Sequence, residues 1–241
     1  MSEGASNIII FGAAPAVTTS YVNVWGLSSG GSYVQLTSGV AMEVLSSSAN
    51  DASAGTGART IKIVGLDGNY AQFSETVTLN GVTPVSLVKT SVIAINSITV
   101  LTAGSAGTNQ GRIDVRTISG SIVKSCVRSA ADSAGLSHDF IYTVPAGFYA
   151  KLKRCEVFIA GVTAGYISAT IRSYTAAGAY NSNGVITNSF DVAGFSGSPF
   201  ALNYGSDGLY FPEKTLITLM AIMSTGTASV SAIGELELYK A

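Results

Sequence analysis

Charged side chains are scarce in this sequence. Asp, Glu, Lys and Arg make up 11% of its 241 residues, whereas an ordinary soluble domain has roughly 25%. There are 13 Lys and Arg residues and 14 Asp and Glu residues, so the formal net charge is -1. A chain this close to neutrality has no basic surface for nucleic acid or for an anionic membrane. We therefore expect neither of these as a partner.

Cysteine and histidine are nearly absent, which bears on metal binding and on disulfide bonding. The sequence has two cysteines, Cys126 and Cys155, and one histidine, His138. None of them shows the short Cys/His spacing of a zinc site, and two cysteines form no disulfide framework. Both lie in strand-like runs, where a small core thiol is the default, and whether they pair is open. We expect no metal and no cofactor.

Long hydrophobic runs are missing as well. The apolar segment Asn7 to Phe11 is too short for the core of a signal peptide. The longest apolar stretch, Leu216 to Met223, is interrupted by Thr218 and is far shorter than a membrane span. We therefore expect the protein to be made and kept in the cytoplasm, or to leave it by cell lysis.

Residue patterns for catalysis are not recognisable, so we predict no enzyme and no catalytic residues. His138 and Asp139 are the only candidate base and orienting acid. Adjacent residues on a strand point to opposite faces, so Asp139 is poorly placed to orient His138. Carboxylates that could cleave a glycan form no recognisable pair across a cleft; they are Glu156, Asp191, Asp207 and Glu213.

Short β-branched or aromatic runs separated by Gly, Ser, Asn and Asp clusters fill the chain. This texture is typical of sandwiches and barrels, and helical periodicity is nearly absent. The pattern weakens at 129–137, which is the best candidate for a domain boundary. We predict an all-β protein of two tandem antiparallel β-sandwich domains, jelly-roll-like, with an N-terminal sandwich at 1–135 and a C-terminal sandwich at 136–241.

One hairpin is especially clear. Thr60 to Val64 alternates, Asp67-Gly68 favours the positive φ of a tight turn, and the return strand carries Phe73, Val77 and Leu79 on one face. Two later runs alternate in the same way. In one, Ile113 and Val115 face inward between outward charges; in the other, Glu235 and Glu237 face solvent opposite an apolar face formed by Val230, Ala232, Leu236 and Leu238.

The run from Thr215 to Ser224 is apolar on both faces, which leaves two interpretations open. The strand is central and covered twice, or its outer face meets another subunit. On the second interpretation Ile217, Leu219 and Met223 are interface residues. The segment Thr175 to Ser206 reads as long loops, and its Tyr180 and Tyr204 are interface candidates too. Tyrosine serves both protein interfaces and sugar contacts, and we favour interface packing.

The low charge favours assembly. Ser, Thr, Asn and Gly supply most of the polar surface, and an uncharged hydroxyl costs far less to bury than an ion. Such a surface suits a protein whose exterior is covered by neighbours. A Ser/Thr-rich secreted β-protein without partners is the alternative.

A series of short motifs extends from about Trp25 to Tyr239. It comprises Trp25-Gly26 through Tyr33, Ser46-Ser47-Ser48-Ala49-Asn50-Asp51, Gly55-Thr56-Gly57-Ala58-Arg59-Thr60, Gly65-Leu66-Asp67, Glu75-Thr76-Val77-Thr78-Leu79-Asn80-Gly81, Ala103-Gly104-Ser105, Asn109-Gln110-Gly111-Arg112-Ile113, Tyr142-Thr143-Val144-Pro145-Ala146-Gly147 and Phe211-Pro212-Glu213-Lys214-Thr215. In this order and spacing, the series resembles small β-sandwich structural proteins of tailed-bacteriophage virions, of cyanophage and marine-phage type.

The resemblance implies a non-enzymatic virion protein. A capsid-surface role, as a decoration, cement or minor capsid protein, is our first expectation; a tail component or a receptor- or glycan-binding module is the alternative. The implied partners are further copies, as a homotrimer, and other virion proteins such as the major capsid protein. The implied location is the virion, and the host cytoplasm during assembly.

Overall fold

All regular structure in the described part of the chain is β-strand, so the prediction of an all-β protein is confirmed. The structure is a computed structural model that describes residues 6–26, 33–118, 122–129, 135–161, 165–174, 185–193 and 200–241, with the backbone alone at 185–193. Among these residues no helix is long and apolar enough to cross a membrane. The strands in chain order are β1 (Ser6–Val17), β2 (Val22–Asn23), β3 (Met42–Ser46), β4 (Ala58–Asp67), β5 (Gln72–Thr78), β6 (Val85–Ser86), β7 (Val92–Ala103), β8 (Ile113–Thr117), β9 (Val123–Val127), β10 (Ile141–Thr143), β11 (Phe148–Ala160), β12 (Tyr166–Tyr174), β13 (Val185–Ala193), β14 (Phe200–Asn203), β15 (Leu209–Phe211), β16 (Leu216–Met223) and β17 (Ala228–Lys240).

The chain divides into two compact units, one of which is inserted in the other. The split unit comprises Met1–Tyr33 and Asp139–Ala241, and the inserted unit comprises Val34–His138. This division corrects the predicted one, which grouped residues 1–33 with 34–135. The reason is long-range pairing: β1 pairs antiparallel with β17, from Ser6 opposite Leu238 to Val17 opposite Ala228. The second boundary falls after His138, close to the predicted one after residue 135.

The split unit contains two antiparallel sheets. One has the strand order β1-β17-β11-β14, with β15 also paired to β11. The other has the order β10-β16-β12-β13, with β2 also paired to β16. Alternate residues of both sheets contribute to one hydrophobic core, in which Ile10, Leu152, Ile171, Leu219 and Leu236 are buried. Alternation along each strand gives each sheet one apolar face, and the apolar faces of the two sheets contribute to the same core.

The inserted unit is built in the same manner from a four-stranded sheet, β6-β3-β8-β9, and a three-stranded sheet, β5-β4-β7. Its core combines Val44 and Val115 of the first sheet with Ile61, Ile63 and Ile98 of the second. The predicted inward positions Ile113 and Val115 are fully buried, which confirms the alternation in β8.

The predicted hairpin of the inserted unit is also present. Residues of β4 and β5 pair antiparallel from Thr60 opposite Thr78 to Leu66 opposite Gln72. The turn differs from expectation in one respect: the positive φ, +63°, falls on Tyr70 and not on Gly68. The Asp67 carboxylate accepts hydrogen bonds from the amides of Asn69 (2.9 Å) and Ala71 (3.0 Å) and so closes the turn itself.

The segment Thr175 to Ser206, predicted to be loops, contains two strands, β13 and β14. β13 pairs with β12, and β14 pairs with β11. The prediction is wrong there because Gly, Asn and Ser weaken the local signal, while pairing with a distant strand supplies the hydrogen bonds.

Candidate functional site

The sheet of the split unit that contains β1, β17 and β11 has one face turned away from the core. This outer face carries large apolar side chains. On β1, Ile10 is buried, whereas its neighbours Ile9 and Phe11 are 49% and 37% exposed. Successive side chains of a strand point to opposite faces, so Ile9 and Phe11 share the outer face. On β11, Phe158 lies on that face and is 38% exposed.

Strand register brings these residues into one surface. Phe11 is opposite Ile233 of β17, which is half-buried. Ser231, two residues earlier on β17, is opposite Phe158 of β11. Ile9, Phe11, Ile233 and Phe158 form what we call the outer apolar patch. Glu235, opposite Ile9, and Glu156, opposite Ile233, lie beside these side chains on the same face. Apolar surface bordered by polar residues is typical of a surface that meets another protein.

A second group, the tyrosine cluster, lies farther along the same face and consists of Tyr149, Tyr210 and Tyr239. Tyr149 and Tyr239 are cross-strand partners, and their rings are stacked with centroids 5.0 Å apart and planes 7° apart. Tyr210 leans against Tyr149 with a centroid distance of 5.5 Å and is 56% exposed. Its neighbour on the partner strand is Lys151.

Charged groups surround the tyrosine cluster in complementary pairs. Glu237 accepts a hydrogen bond from the Tyr239 hydroxyl at 2.5 Å and lies 3.6 Å from the Lys153 ammonium. The bond from Tyr239, followed by the nearby lysines, lowers the pKa of Glu237, and the same bond raises the pKa of Tyr239. The Lys151 ammonium lies 5.5 Å from the centroid of the Tyr239 ring.

A β-bulge in β11 explains why consecutive charged residues face outward here. The register of β11 against β17 shifts between Leu152 and Arg154, so Lys153 has no direct partner. Leu152 and Cys155 stay buried, while Lys153 and Arg154 between them are at least partly exposed. Bulges often redirect side chains in this way next to functional surfaces.

The predicted interface residues of β16 are not part of the outer face described above. Ile217, Leu219 and Met223 are at most 1% exposed and belong to the hydrophobic core of the split unit. The opposite face of the same strand is covered too, because Leu216 is buried against Trp25, Tyr33, Ile141 and Tyr174. β16 is therefore a central strand covered twice by its own chain, and the assignment of these residues to a subunit interface is corrected.

Of the two predicted tyrosines, Tyr204 alone is among the described residues. Tyr204 is half-buried and packs against the core of the split unit, and Tyr180 lies outside the described residues. Tyr149 and Tyr239 were not predicted, although each lies two residues from a charged residue, Lys151 or Glu237, in a strong strand. Only the register of β11 against β17 shows that their rings stack.

Several motifs of the resemblance meet at one buried carboxylate in the inserted unit. One oxygen of Asp51 accepts hydrogen bonds from the amides of Ala58 and Gln110, both at 2.8 Å. The other accepts from the Ser46 hydroxyl (2.6 Å) and from the amide of Gly111 (2.8 Å). The motifs that begin at Ser46, Gly55 and Asn109 thus form one loop junction. All four donors are used in holding the loops, which indicates a structural role.

The two cysteines and Asp139 are buried. Cys155 is buried in the core of the split unit, where burial raises the pKa of its thiol to about 12. Cys126 is buried in the inserted unit, so both cysteines are the core thiols expected. Asp139 accepts a hydrogen bond from the amide of Gly26 at 2.9 Å. Within the described residues no group of three or more His, Cys, Asp or Glu side chains could hold a metal ion.

Comparison with known proteins gives only remote likeness. No protein-family model matches the chain, and no curated protein sequence matches it. Among solved structures it is similar to infectious bursal disease virus, Gt strain, at 13% identity and a TM-score of 0.25, over 99% of this chain and 73% of that one. It is similar to the VP2 subviral particle of infectious bursal disease virus at 14% identity and a TM-score of 0.25, over 98% and 72%. At such TM-scores the likeness carries no argument about fold or role.

Proposed function

We propose that this chain is a non-enzymatic structural protein of a tailed-bacteriophage virion, which assembles with copies of itself and with other virion proteins such as the major capsid protein. The observation that carries the proposal is the outer apolar patch. It places Ile9, Phe11 and Phe158 at an exposed sheet face, in a chain whose formal net charge is only -1. Covering these side chains removes apolar surface from water, beside the carboxylates of Glu235 and Glu156, which lie opposite Ile9 and Ile233.

The architecture supports the same role. Both sheets of each unit contribute to one hydrophobic core, which supports a β-sandwich in each unit; the jelly-roll-like connection stays a prediction. Sandwiches with tightly held loops present rigid faces, as the Asp51 junction illustrates. A decoration, cement or minor capsid position on the capsid surface is our first choice, and a tail position is the alternative.

The test combines oligomeric state with particle composition. We expect the purified chain to be a stable oligomer at micromolar concentration by size-exclusion chromatography with light scattering, and mass spectrometry to detect it in gradient-purified particles. The resemblance implies a trimer, and the measured mass gives the copy number. A stable monomer that is absent from purified particles would show that the proposal is wrong.

A second function, binding of a saccharide on the host surface, is favoured by the tyrosine cluster alone. Aromatic faces contact the apolar side of a sugar ring, and Lys151, Lys153 and Glu237 offer hydrogen-bond donors and acceptors beside them. A glycan array tests it. We expect Tyr210→Ala to abolish binding and Tyr166→Ala, a tyrosine of similar exposure on β12 (51% against 56%), to leave it unchanged. Equal effects of both substitutions, or no binding at all, exclude this function.

A further inference from the structure

Strand β1 lies at one end of its sheet and has a single neighbour, β17. Among the described residues its backbone forms hydrogen bonds with that neighbour only. The other edge of β1 therefore presents amide and carbonyl groups without a partner in the described part of the chain. Groups of this kind are completed by another extended strand, in the geometry of sheet extension.

The protections that an edge strand carries in its own sequence are missing from most of β1, within the described residues. Natural edges are blunted by charged residues, proline, bulges or short length. From Ser6 to Ala14 the strand carries no charged residue and no proline. Pro15 follows, and the register against β17 is irregular between Ala14 and Val17. The unprotected edge is thus the segment 6–14, and Pro15 and the irregularity mark where regular pairing ends.

We infer that two copies of this chain pair antiparallel through segment 6–14 of β1, about a two-fold axis at Ile10. The sheets that contain β1 in the two copies are thereby joined into one continuous sheet. The inference deepens the proposed function, on which it rests, by naming the partner and the strand. An isologous two-fold contact of this kind closes on itself and yields a defined dimer, in place of the trimer that the resemblance implies.

The register follows from the side chains. Ile10 is the midpoint of segment 6–14, so a two-fold axis there pairs the whole segment without overhang. In this register Ile9 of each copy lies opposite Phe11 of the other, and Ile8 lies opposite Gly12. The two exposed large apolar side chains of β1 therefore form two cross-strand aromatic and β-branched pairs, which are stabilising in antiparallel sheets.

Other registers are poorer. An axis at Ile9 places Phe11 opposite Asn7, and an axis at Phe11 places Ile9 opposite Ala13, so each leaves part of the segment unpaired. An axis between two residues would place inward side chains opposite outward ones. Because β1 contains no ionisable side chain, the two-fold axis brings no like charges together within this strand.

Directed cross-linking tests the register. Directly opposed residues have Cα atoms about 4.5–5.5 Å apart, which suits a disulfide. We expect an oxidised equal mixture of the Ile9→Cys and Phe11→Cys proteins to give a covalent dimer containing one copy of each. Either variant alone should not cross-link, because identical positions are diagonal neighbours beyond disulfide reach.

The matched control is Tyr166→Cys, whose native side chain is as exposed as that of Ile9 (51% against 49%) but lies on β12, in the other sheet of the split unit. We expect no cross-link when this variant is mixed with Phe11→Cys. The native Cys126 and Cys155 are buried and provide little background. Cross-linking that is equally efficient in the single variants or with Tyr166→Cys, or no cross-linking at all, would overturn the inference.

A second measurement separates the inference from the proposed function. We expect Phe11→Lys to halve the mass found by light scattering, and Tyr166→Lys, at an exposed position of β12 in the other sheet, to leave it unchanged. An oligomer that survives Phe11→Lys contradicts pairing through β1, while assembly of the chain still stands. If the native chain is a monomer and is absent from particles, both the inference and the proposed function fail.

Discussion

The side chain of Asp51 joins several loops of the inserted unit through hydrogen bonds. Its carboxylate is fully buried and accepts four hydrogen bonds, three of them from backbone amides. A carboxylate suits this position because it is an acceptor at both oxygens. Gly57 is required beside it, since a Cβ there would lie 2.0 Å from an Asp51 oxygen.

We predict that Asp51→Asn destabilises the protein by about 2–4 kcal/mol, because one acceptor oxygen becomes an NH2 group that faces two donors and leaves an amide unsatisfied. The measurement is the urea midpoint of unfolding. Asp114→Asn is the control: Asp114 pairs with the partly exposed Arg112, and such a surface pair contributes at most about 1 kcal/mol. Equal shifts in the two variants would refute the structural role of Asp51.

Lys124 is a second buried ionisable residue of the inserted unit. It lies on β9, is fully buried, and donates a hydrogen bond to the carbonyl oxygen of Val34. Burial lowers the pKa of its ammonium to about 7. In the unfolded chain the group keeps an ordinary lysine pKa of about 10.4.

This difference makes the free energy of unfolding depend on pH. Between about pH 7 and 10 the unfolded state binds one more proton than the folded state, so stability rises with pH in that window. Below it both states are protonated, and the cost of burying the charge is fully present.

We therefore expect Lys124→Met to remove a slope of up to about 1.4 kcal/mol per pH unit from the alkaline limb. Urea unfolding at a series of pH values measures it. Lys62→Met, at an exposed position of β4, should keep the native pH dependence. The same slope in the native protein and in Lys124→Met would contradict the assignment.

At the scale of elements, the position of β1 depends on a close approach at Gly12. A Cβ at Gly12 would lie 2.3 Å from the carbonyl oxygen of Val24 and 2.5 Å from the Cβ of Phe140. The Phe140 ring also leaves no room at Gly234 of β17, where an added Cβ would lie 2.7 Å from its Cζ. Two glycines on adjacent strands thus accommodate Phe140: Gly12 faces its Cβ and backbone nitrogen, and Gly234 faces its ring.

We predict that Gly12→Ala destabilises the protein by about 3 kcal/mol or more, because the contact is with backbone that cannot yield as a flexible side chain does. Ala13→Ser, one residue along and on the outer face of β1, should change stability by less than about 0.5 kcal/mol. Thermal unfolding followed by circular dichroism compares the two. A tolerated Gly12→Ala would mean that β1 lies farther from Phe140.

The sequence could predict elements where the local pattern alone decides them. The β4–β5 hairpin, the inward pair of β8 and the half-buried face of β17 follow from a period of two with turn residues at the ends. Strand pairing over long distances could not be predicted, since nothing within Asn7 to Phe11 indicates that it pairs with a strand near the C-terminus. The candidate surface was missed for the same reason: Phe11 and Phe158 are far apart in sequence, and only their registers against β17 place them on one face.

At the scale of the whole molecule, the inserted unit is a continuous segment with a core of its own. The chain ends that flank it are held in the split unit. Tyr33 packs in one cluster with Ile141 and Trp25, and the amide of Gly26 donates to Asp139. The residues on either side of the insertion are therefore close together, and a short linker can join them.

We predict that residues 34–138 fold alone, and that the split unit folds when a short Gly-Ser linker replaces those residues. Each should give a β-type circular dichroism spectrum and one cooperative urea transition. Ile113→Asp in the first chain and Leu219→Asp in the second are the controls: a buried charge in either core should abolish the transition. Because β1 belongs to the split unit, the linker chain should retain the Phe11-dependent dimer and residues 34–138 should be monomeric. If the isolated segment 34–138 were to dimerise, or neither chain were to fold cooperatively, the assignment of assembly to the split unit would be wrong.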